Sequence, residues 1–350
     1  MSNPESFSRV VVFGLGGTIA MTPTGSGGVA PSLTAEQLVA AVPGLNDAGV
    51  KLDVVQFRQI PGASLNFADI AALHEAVAAE LPHAAGVVVT QGTDTIEETS
   101  YLLDLLHNRP EPVVVTGAMR NPSMAGADGP ANLLAAVQVA ASPQARKLGC
   151  VVVFADEIHA ARRVRKTHTT RCAAFESPNG GPLGWVSEGH VHLANRLSFR
   201  TFLPAPPTDD VRVALVPTPL GDDGTVLDAV ADHVDGIVVA AVGAGHVPAH
   251  LAPRLGAIAE HKPVILASRT CGGTVLAETY GFPGSERDLL ARGLISAGFL
   301  DPVKARLLLQ TLICNQADRD TIASAFAVAS GHADPALWPW AVQMVGADNA

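Results

Sequence analysis

Hydroxyl, carboxylate and amine side chains occur in this sequence where predicted strands give way to loops. The first group follows a β-branched run, in Phe13-Gly-Leu-Gly-Gly-Thr18-Ile-Ala20. Glycines at such a turn let a ligand approach the backbone and leave the Thr18 hydroxyl at the mouth of the sheet. The spacing G-x-G-x-x-G fails because Ile19 occupies its last position, so nucleotide binding is the weakest interpretation. Taken alone, a threonine here is more often a structural hydrogen-bonding residue than a nucleophile.

The second group joins a strand directly to a helix N-terminus, in Thr90-Gln-Gly-Thr93-Asp94-Thr-Ile-Glu97-Glu98-Thr99. Unpaired backbone N–H groups and the positive end of the helix dipole stabilise a developing oxyanion or a bound carboxylate. Asp94 has a simpler alternative role as the cap of this helix, and the local pattern alone favours that role.

The third group is Arg165-Lys-Thr-His-Thr-Thr170, in a predicted hairpin. A lysine held beside a carboxylate in a dry cleft can move a proton to or from a threonine, whose hydroxyl is a poor nucleophile until a base accepts its proton. We interpret the neighbouring arginines as a solvated face: Arg162, Arg163, Arg165 and Arg171. Periodicity alone does not bring Thr18, Thr93 and Lys166 together.

The elements that must position these groups alternate between short β-branched runs and amphipathic stretches. This alternation predicts an α/β fold, with helices on both sides of a mainly parallel sheet. Thr34 and Asn66 have the residue types and positions of helix caps. The predicted strands are Arg9–Phe13, Leu52–Gln56, Gly86–Thr90, Pro112–Thr116 and Cys150–Ala155, and further helices span about Thr93–His107 and Pro130–Ala141.

Near residue 200 the composition changes to a Pro-rich segment that is typical of a domain connection. We predict a larger catalytic N-terminal domain over 1–200, a linker over 201–210 and a smaller C-terminal α/β domain over 211–350. The predicted elements of the second domain are strands Val211–Val216, Gly236–Val242 and Pro263–Ser268, and helices Val226–His233, His250–His261 and Val303–Cys314. The last twenty residues show no assignable pattern.

Composition excludes several function classes. A net charge of -10 disfavours an extended phosphate-binding surface, and no run of eighteen apolar residues predicts a membrane span. The first residues lack the basic start and apolar core of a signal peptide, so we expect a cytoplasmic protein. Four widely spaced cysteines form no C-x-x-C pair, which predicts reduced thiols rather than disulfides or a zinc site.

Several motifs together resemble the bacterial L-asparaginase family, in order and at about the family's spacing, over residues from about 9 to 330. The G-G-T-I-A loop and the T-x-G-T-D-T-x-E-E segment carry nearly all the specificity. The matching segments are Gly16–Ala20, Thr90–Glu98, Val115–Arg120, Ala127–Pro130, Lys166-Thr167 and Lys304–Arg306.

The resemblance implies hydrolysis of the side-chain amide of L-asparagine through a threonine acyl-enzyme, with no cofactor and no metal. It implies that Thr18 is the nucleophile, that Thr93 lies opposite it across the substrate amide, and that Asp94 and Lys166 form a hydrogen-bonded set with Thr93. It also implies a homotetramer, built as a dimer of dimers, in which an acidic residue at position 286 reaches a neighbouring subunit's site. The expected substrate-binding residues are Ser64, Gly92, Thr93, Asp94, His246 and Glu286.

The chain also departs from the family pattern. The loop over 21–32 lacks the tyrosine that many members place there, so either Tyr280 replaces it or the first triad works differently. Gly62-Ala63 stands where members commonly have a serine followed by Gln or Glu, and Ser64 is a substitute; alone, His246 would be a structural histidine. These departures leave open glutamine, a D-amide or another small amide as substrate, or an amino-acid-binding protein without turnover.

Overall fold

The computed structural model describes residues 8–25, 27–45 and 49–345 of the chain. It divides into two compact units. The first contains the chain up to Arg200 with a short return from Met344, and the second is Thr201–Gln343. Each unit is built on its own sheet with helices packed against it, so the predicted α/β fold class is confirmed.

The first unit contains a long series of strands and four α-helices within the described ranges. The strands are β1 (Ser8–Gly14), β2 (Met21–Pro23), β3 (Val29–Pro31), β4 (Val50–Gln56), β5 (Gly86–Thr90), β6 (Val113–Thr116), β7 (Cys150–Phe154), β8 (Glu157–Ala160), β9 (Arg165–Lys166), β10 (Phe175–Glu176), β11 (Gly184–Ser187), β12 (His190–Leu193) and β13 (Phe199–Thr201). The helices are α1 (Ala35–Ala40), α2 (Phe67–Glu80), α3 (Ile96–Leu106) and α4 (Gly129–Ala141).

The main sheet of the first unit has eight strands in the order β12-β11-β8-β7-β6-β5-β1-β4. Strands β4, β1, β5, β6 and β7 run parallel to one another, whereas the pairs β7–β8, β8–β11 and β11–β12 are antiparallel. In register, Gly14 at the end of β1 lies beside Thr90 at the end of β5, which lies beside Thr116 at the end of β6. The loops after these strands therefore meet at one edge of the sheet, where ligands bind in open α/β sheets.

Local signals fix the starts of the helices that cover this sheet. Thr34 and Asn66 each form a capping box with the residue three positions later, as their residue types predict. Helix α4 packs on the central strands, and Leu133 and Val137 share a core with Val88 and Val114. The α4 helix thus holds the middle of the sheet from one face.

The second unit has a smaller, wholly parallel sheet in the order β14-β15-β16-β17, which the helices cover with a separate apolar core. Its elements are β14 (Val213–Pro217), α5 (Thr225–Ala231), β15 (Gly236–Ala241), α6 (Ala252–Ala259), β16 (Val264–Ser268), α7 (Glu286–Ala291), β17 (Ile295–Ser296), α8 (Pro302–Cys314) and α9 (Arg319–Ala329), and β18 (Val342–Met344) follows. None of the helices in the described ranges has both the length and the apolar character needed to cross a bilayer.

Some elements differ from the sequence-based expectation. The helix predicted from Thr93 begins at Ile96, because Thr93–Thr95 forms a 3-10 turn ahead of it. Helices α7 and α9 and the β11–β12 hairpin were not predicted, and the terminal segment without a pattern contains a short strand, Val342–Met344. The β11–β12 hairpin and α7 are short, so their periodicity gives little signal.

The interpretation of the arginine cluster as a solvated face is wrong for most of its members. The Arg162 guanidinium lies 4.9 Å from the centre of the Phe199 ring and donates to the Phe199 carbonyl. Burial lowers the pKa of the Arg162 side chain. Arg163 and Arg165 are half-buried, and Arg171 is exposed. None of the four cysteines, all of which lie in the described ranges, forms a disulfide.

A buried ion pair anchors the far end of α3. Arg200 Nε and Nη2 donate to Asp104 Oδ1 at 3.2 and 3.1 Å, and the Cys150 N–H donates to the same oxygen at 2.9 Å. Gly149, at φ +81°, makes room for this approach, because a Cβ there would lie 2.1 Å from Arg200 Nε. Helix α3, which begins at the sheet edge, is therefore tied at its other end to β7.

Arg200→Met is expected to lower the free energy of unfolding by roughly 3–5 kcal/mol, because it leaves the Asp104 carboxylate buried without its cation. Urea denaturation measures the loss. The double variant Asp104→Asn/Arg200→Met, which keeps an acceptor for the Cys150 N–H, should recover part of it. A single variant as stable as the parent would show that the pair does not anchor α3.

Candidate active site

The carboxyl ends of β1 and β5 hold the first part of the candidate site together. The Leu15 N–H donates to the Thr90 carbonyl at 2.9 Å, and the Ile60 N–H donates to the Leu15 carbonyl at 3.0 Å. Three separate stretches of chain therefore run side by side just beyond the sheet. These are the loop after β1, the loop after β4 and the turn after β5.

Three glycine backbones meet where these stretches cross. A Cβ on Gly17 would lie 2.1 Å from the backbone nitrogen of Gly92, and a Cβ on Gly92 would lie 2.7 Å from the backbone nitrogen of Gly62. Gly17 also has φ +84°, a conformation that favours glycine. We call Gly17, Gly62 and Gly92 the glycine junction. Thr18 and Thr93 each follow a junction glycine directly, so both start from backbones in contact.

Thr18 begins a 3-10 turn, Thr18–Ala20, and is half-buried. Its hydroxyl makes no hydrogen bond with any residue that the structure describes. The next residue, Ile19, is buried against the start of α4, where a Cβ on Gly129 would lie 2.9 Å from Ile19 Cγ1. The turn is therefore fixed by packing, while the hydroxyl is left available.

Thr93, Asp94 and Lys166 form a hydrogen-bonded set. Lys166 Nζ donates to Thr93 Oγ1 at 2.9 Å and to Asp94 Oδ1 at 3.1 Å. Thr93 is 5% exposed, and the Lys166 and Asp94 side chains are 16% and 61% exposed. An ion pair this exposed adds little stability, so the contact matters for where it places the amine rather than for folding.

Asp94 does not cap α3, although the local pattern favours that role. The N-cap position is Thr95, which makes no side-chain capping bond. The Asp94 carboxylate instead pairs with Lys166, seventy-two residues away along the chain. The Oδ2 oxygen has no hydrogen-bond partner in the described part of the chain, which leaves it for a cation such as a substrate ammonium.

Two residues that the sequence did not single out join the glycine junction to α3. Thr95 Oγ1 donates to the Gly62 carbonyl at 3.0 Å. Gln91 Nε2 lies 3.3 Å from the Gly92 carbonyl and 3.4 Å from Thr95 Oγ1, and the side chain is fully buried. Both belong to the T-x-G-T-D-T segment, so their position in that motif was the available signal.

A fourth stretch at this edge, the loop after β6, is held by Asp128. Its two carboxylate oxygens accept the Met119 and Arg120 N–H groups at 3.0 and 2.8 Å. Asn132, on α4, donates to the Gly117 carbonyl at 3.0 Å and accepts the Ala155 N–H at 3.0 Å. The segments Val115–Arg120 and Ala127–Pro130, which the sequence shares with a known family, thus fix a loop.

Ser64 ends the 3-10 turn Gly62–Ser64 and is exposed. Because Gly62 belongs to the glycine junction, Ser64 is carried by the same short turn that contacts Gly92. The structure thus brings six of the sequence-predicted site residues to one sheet edge of the first unit: Thr18, Ser64, Gly92, Thr93, Asp94 and Lys166.

His246 and Glu286 belong to the second unit and contact each other. Glu286 is fully buried; its Oε2 lies 3.2 Å from His246 Nε2, and its Oε1 accepts the Thr279 and Tyr280 N–H groups at 3.0 and 2.7 Å. Burial acts to raise the pKa of Glu286, but these hydrogen bonds outweigh it and the pKa is lowered. The Tyr280 ring, 41% exposed, meets the His246 ring edge-on at 4.8 Å. Glu286 is therefore an anionic anchor that orients His246.

No group of three or more His, Cys, Asp and Glu side chains that could hold a metal ion occurs in residues 8–25, 27–45 and 49–345. At the sheet edge, Thr18, Thr93, Lys166 and Asp94 bring together two threonine hydroxyls, one amine and one carboxylate. This set can attack a carbonyl and move protons, and it can bind an ammonium group.

Comparison with known proteins extends over nearly the whole chain. Residues 9–199 match the family described as "Asparaginase, N-terminal", and residues 212–326 match the "Glutaminase/Asparaginase C-terminal domain". A probable L-asparaginase of Deinococcus radiodurans is 37% identical, over 92% of this chain and 98% of its own. A probable periplasmic L-asparaginase of Haemophilus influenzae is 33% identical, over 93% of this chain and 94% of its own.

A solved structure is similar throughout. The crystal structure of a probable cytoplasmic L-asparaginase from Campylobacter jejuni has a TM-score of 0.80 and 31% sequence identity. The similarity covers 91% of this chain and 99% of that one.

Gly92→Ala tests the glycine junction. Gly92 has φ −64° and ψ 137°, which alanine adopts freely, so any loss must come from the methyl group meeting Gly62. We expect the free energy of unfolding to fall by about 1–3 kcal/mol in urea denaturation, the usual cost of overpacking.

Gly281→Ala is the matched control, because its Cβ would meet only Arg287 Nη1, at 3.9 Å. This variant should unfold like the parent. Equal stability of the Gly92 variant and the control would contradict the close contact at the junction.

Proposed function

This chain belongs to the asparaginase family, and from that premise we propose that it hydrolyses the side-chain amide of L-asparagine to L-aspartate and ammonia through an acyl-enzyme on Thr18. The observation that carries the proposal is the set in which Lys166 Nζ lies 2.9 Å from Thr93 Oγ1 and 3.1 Å from Asp94 Oδ1, at the glycine junction that also carries Thr18. Relatives named L-asparaginase support the same amide chemistry.

In the first step, the Thr18 oxygen attacks the amide carbon and forms an ester bond. The C–N bond breaks, and the nitrogen leaves as ammonia after taking up the threonine proton. The negative charge that develops on the amide oxygen requires preorganised donors, and loss of one such donor typically costs about a hundredfold or more in rate. Backbone N–H groups around Thr93 supply them in this proposal.

In the second step, water attacks the ester carbon, and the Thr18 oxygen leaves with a proton, which restores the enzyme. Thr93 and Lys166 provide the route for the water proton, because the amine contacts the hydroxyl directly. Summed over both steps, amide and water give a carboxylate and ammonium, and no redox partner is consumed.

The two hydroxyls differ in a way that supports these separate roles. Thr93 is buried and already hydrogen-bonded to an amine, whereas Thr18 is half-buried and makes no hydrogen bond with a residue that the structure describes. A nucleophile must be free to approach the substrate, and a proton relay must be held in a chain of donors and acceptors. We therefore assign attack to Thr18 and proton transfer to Thr93.

The substrate's charged groups have matching partners at the mouth of the site. Asp94, with Oδ2 unoccupied by any described residue, is the proposed ligand of the ammonium group. Ser64 is exposed on the turn from Gly62 and is the proposed ligand of the α-carboxylate. Since Gly62-Ala63 replaces a larger polar pair, glutamine, a D-amide or another small amide is the second candidate substrate class.

Assembly and location stay predictions. The similar Campylobacter protein is called cytoplasmic and the Haemophilus relative periplasmic, so the relatives' names do not agree on a compartment. We propose a cytoplasmic homotetramer. The family resemblance implies that Glu286 reaches a neighbouring subunit's site, but its carboxylate is fully buried and bonded within its own unit. The proposed contribution to substrate binding therefore comes from His246, which Glu286 orients.

Thr18→Ala and Thr93→Ala should each lower ammonia release from L-asparagine by about a thousandfold or more, because each removes a group that acts as part of one unit. A coupled ammonia assay gives the rates, and intact-mass spectrometry of the Thr93 variant with substrate should detect the trapped ester on Thr18. Thr170→Ala, an exposed threonine on the Lys166 hairpin, is the control and should turn over normally. Substantial activity in both site variants would refute the nucleophile assignment.

Ser64→Ala should raise KM for L-asparagine about tenfold with little change in kcat, because a hydrogen bond to a charged group is lost in ground and transition states alike. Steady-state kinetics on L-asparagine, D-asparagine and L-glutamine measure this and rank the substrates. If KM is unchanged for all three, Ser64 does not bind the carboxylate. Binding of the amino acids without turnover by the parent enzyme would point to a non-catalytic protein.

A further inference from the structure

Lys166 is carried by a small element that is separate from the main sheet. Strands β9 and β10 form their own two-stranded sheet, in which Lys166 lies opposite Phe175 and Arg165 opposite Glu176. Lysine has a long flexible side chain, so its amine is placed only as well as its backbone is held. The position of the amine therefore depends on a contact between β9 and α3, the helix that follows Thr93.

A carboxylate on α3 provides that contact. Glu97 Oε2 accepts the backbone N–H of Lys166 at 2.9 Å, and Arg165 Nε lies 3.9 Å from the same oxygen. The Glu97 side chain is 12% exposed, so water competes little for the bond. Glu97 is in the first turn of α3, four residues after Thr93.

We infer that Glu97 is a positioning residue for the Lys166 amine, an inference that rests on the proposed function. The residue contacts neither of the two reacting hydroxyls. Lys166 is instead held at two points by one helical segment, since its N–H bonds Glu97 and its Nζ bonds Thr93. These two hydrogen bonds link both ends of Lys166 to the single turn of chain between Thr93 and Glu97. A displacement of a catalytic group by about 1 Å costs up to roughly a hundredfold in rate.

This role makes a demand on the length of the side chain and not on its charge. A glutamine keeps the reach of Glu97 and offers an amide oxygen to the same N–H, but carries no charge. An aspartate keeps the charge but is one methylene shorter, so its oxygens fall short of the N–H. The two conservative variants therefore separate positioning from an electrostatic effect.

The experiment compares Glu97→Gln and Glu97→Asp with Glu176→Gln, an exposed carboxylate on the partner strand that serves as the control. We expect Glu97→Gln to retain most of kcat and Glu97→Asp to lose about tenfold or more, each with KM for L-asparagine nearly unchanged. The control should match the parent. The reverse ranking, or no loss in either variant, would overturn the inference.

A readout without substrate separates this inference from the proposed function. Hydrogen–deuterium exchange of the Lys166 amide and trace acetylation of its Nζ, both followed by mass spectrometry, should rise in Glu97→Asp and stay near the parent in Glu97→Gln. If the parent protein releases no ammonia from any amide while this difference is found, the proposed function fails and the placement stands. If exchange and labelling are unchanged in Glu97→Asp, Glu97 does not position the Lys166 amine, whatever the activity of the enzyme.

Discussion

The contact of three glycine backbones is the constraint on which the site depends. Gly17, Gly62 and Gly92 come from loops after three neighbouring strands, and none of them has room for a Cβ. Because Thr18 and Thr93 each follow one of these glycines, their relative placement is set by backbone contact at the end of a parallel sheet. The choice of side-chain rotamer then changes the distance between the two threonines only slightly. A site built on strand ends in this way is more exact than one carried by long loops.

Around this junction, hydrogen bonds fix the side chains of Thr93 and Lys166 but leave the Thr18 hydroxyl free of any described partner. Thr93 is fixed by Lys166, which is itself fixed by Glu97, so this side of the site is preorganised before substrate arrives. On the other side, Thr18 sits on a turn locked by the packing of Ile19 against α4, while its hydroxyl is left open. In the proposed mechanism this means a rigid proton relay and an open nucleophile, an arrangement that suits acyl transfer because reorganisation within the relay would add to the barrier.

Local signals predicted much of the fold. The bounds of Gly86–Thr90 were read correctly from a β-branched run, and the caps at Thr34 and Asn66 from residue type. The failures came where tertiary contacts override local preference. Asp94 looked like a cap but pairs with a lysine far along the chain, and Arg162 looked solvated but lies over a ring.

The grouping of the site came from a different source. Periodicity placed Thr18, Thr93 and Lys166 on separate elements, and the family resemblance alone implied that they act together. The structure brings Lys166 and Thr93 into contact. The Glu97 contact gave no signal of its own, because Lys166 is sixty-nine residues away and a glutamate in the first turn of a helix has an ordinary explanation in the helix dipole.

The small β9–β10 sheet has a consequence for how this protein can change over time. The turn between Lys166 and Phe175 is largely exposed, and the amine is fixed from the α3 side rather than by that turn. Insertions and deletions between the two strands are thus shielded from the reaction centre. The length of this turn can therefore change in evolution without moving the Lys166 amine. A recognition loop could be grafted at the same position by design.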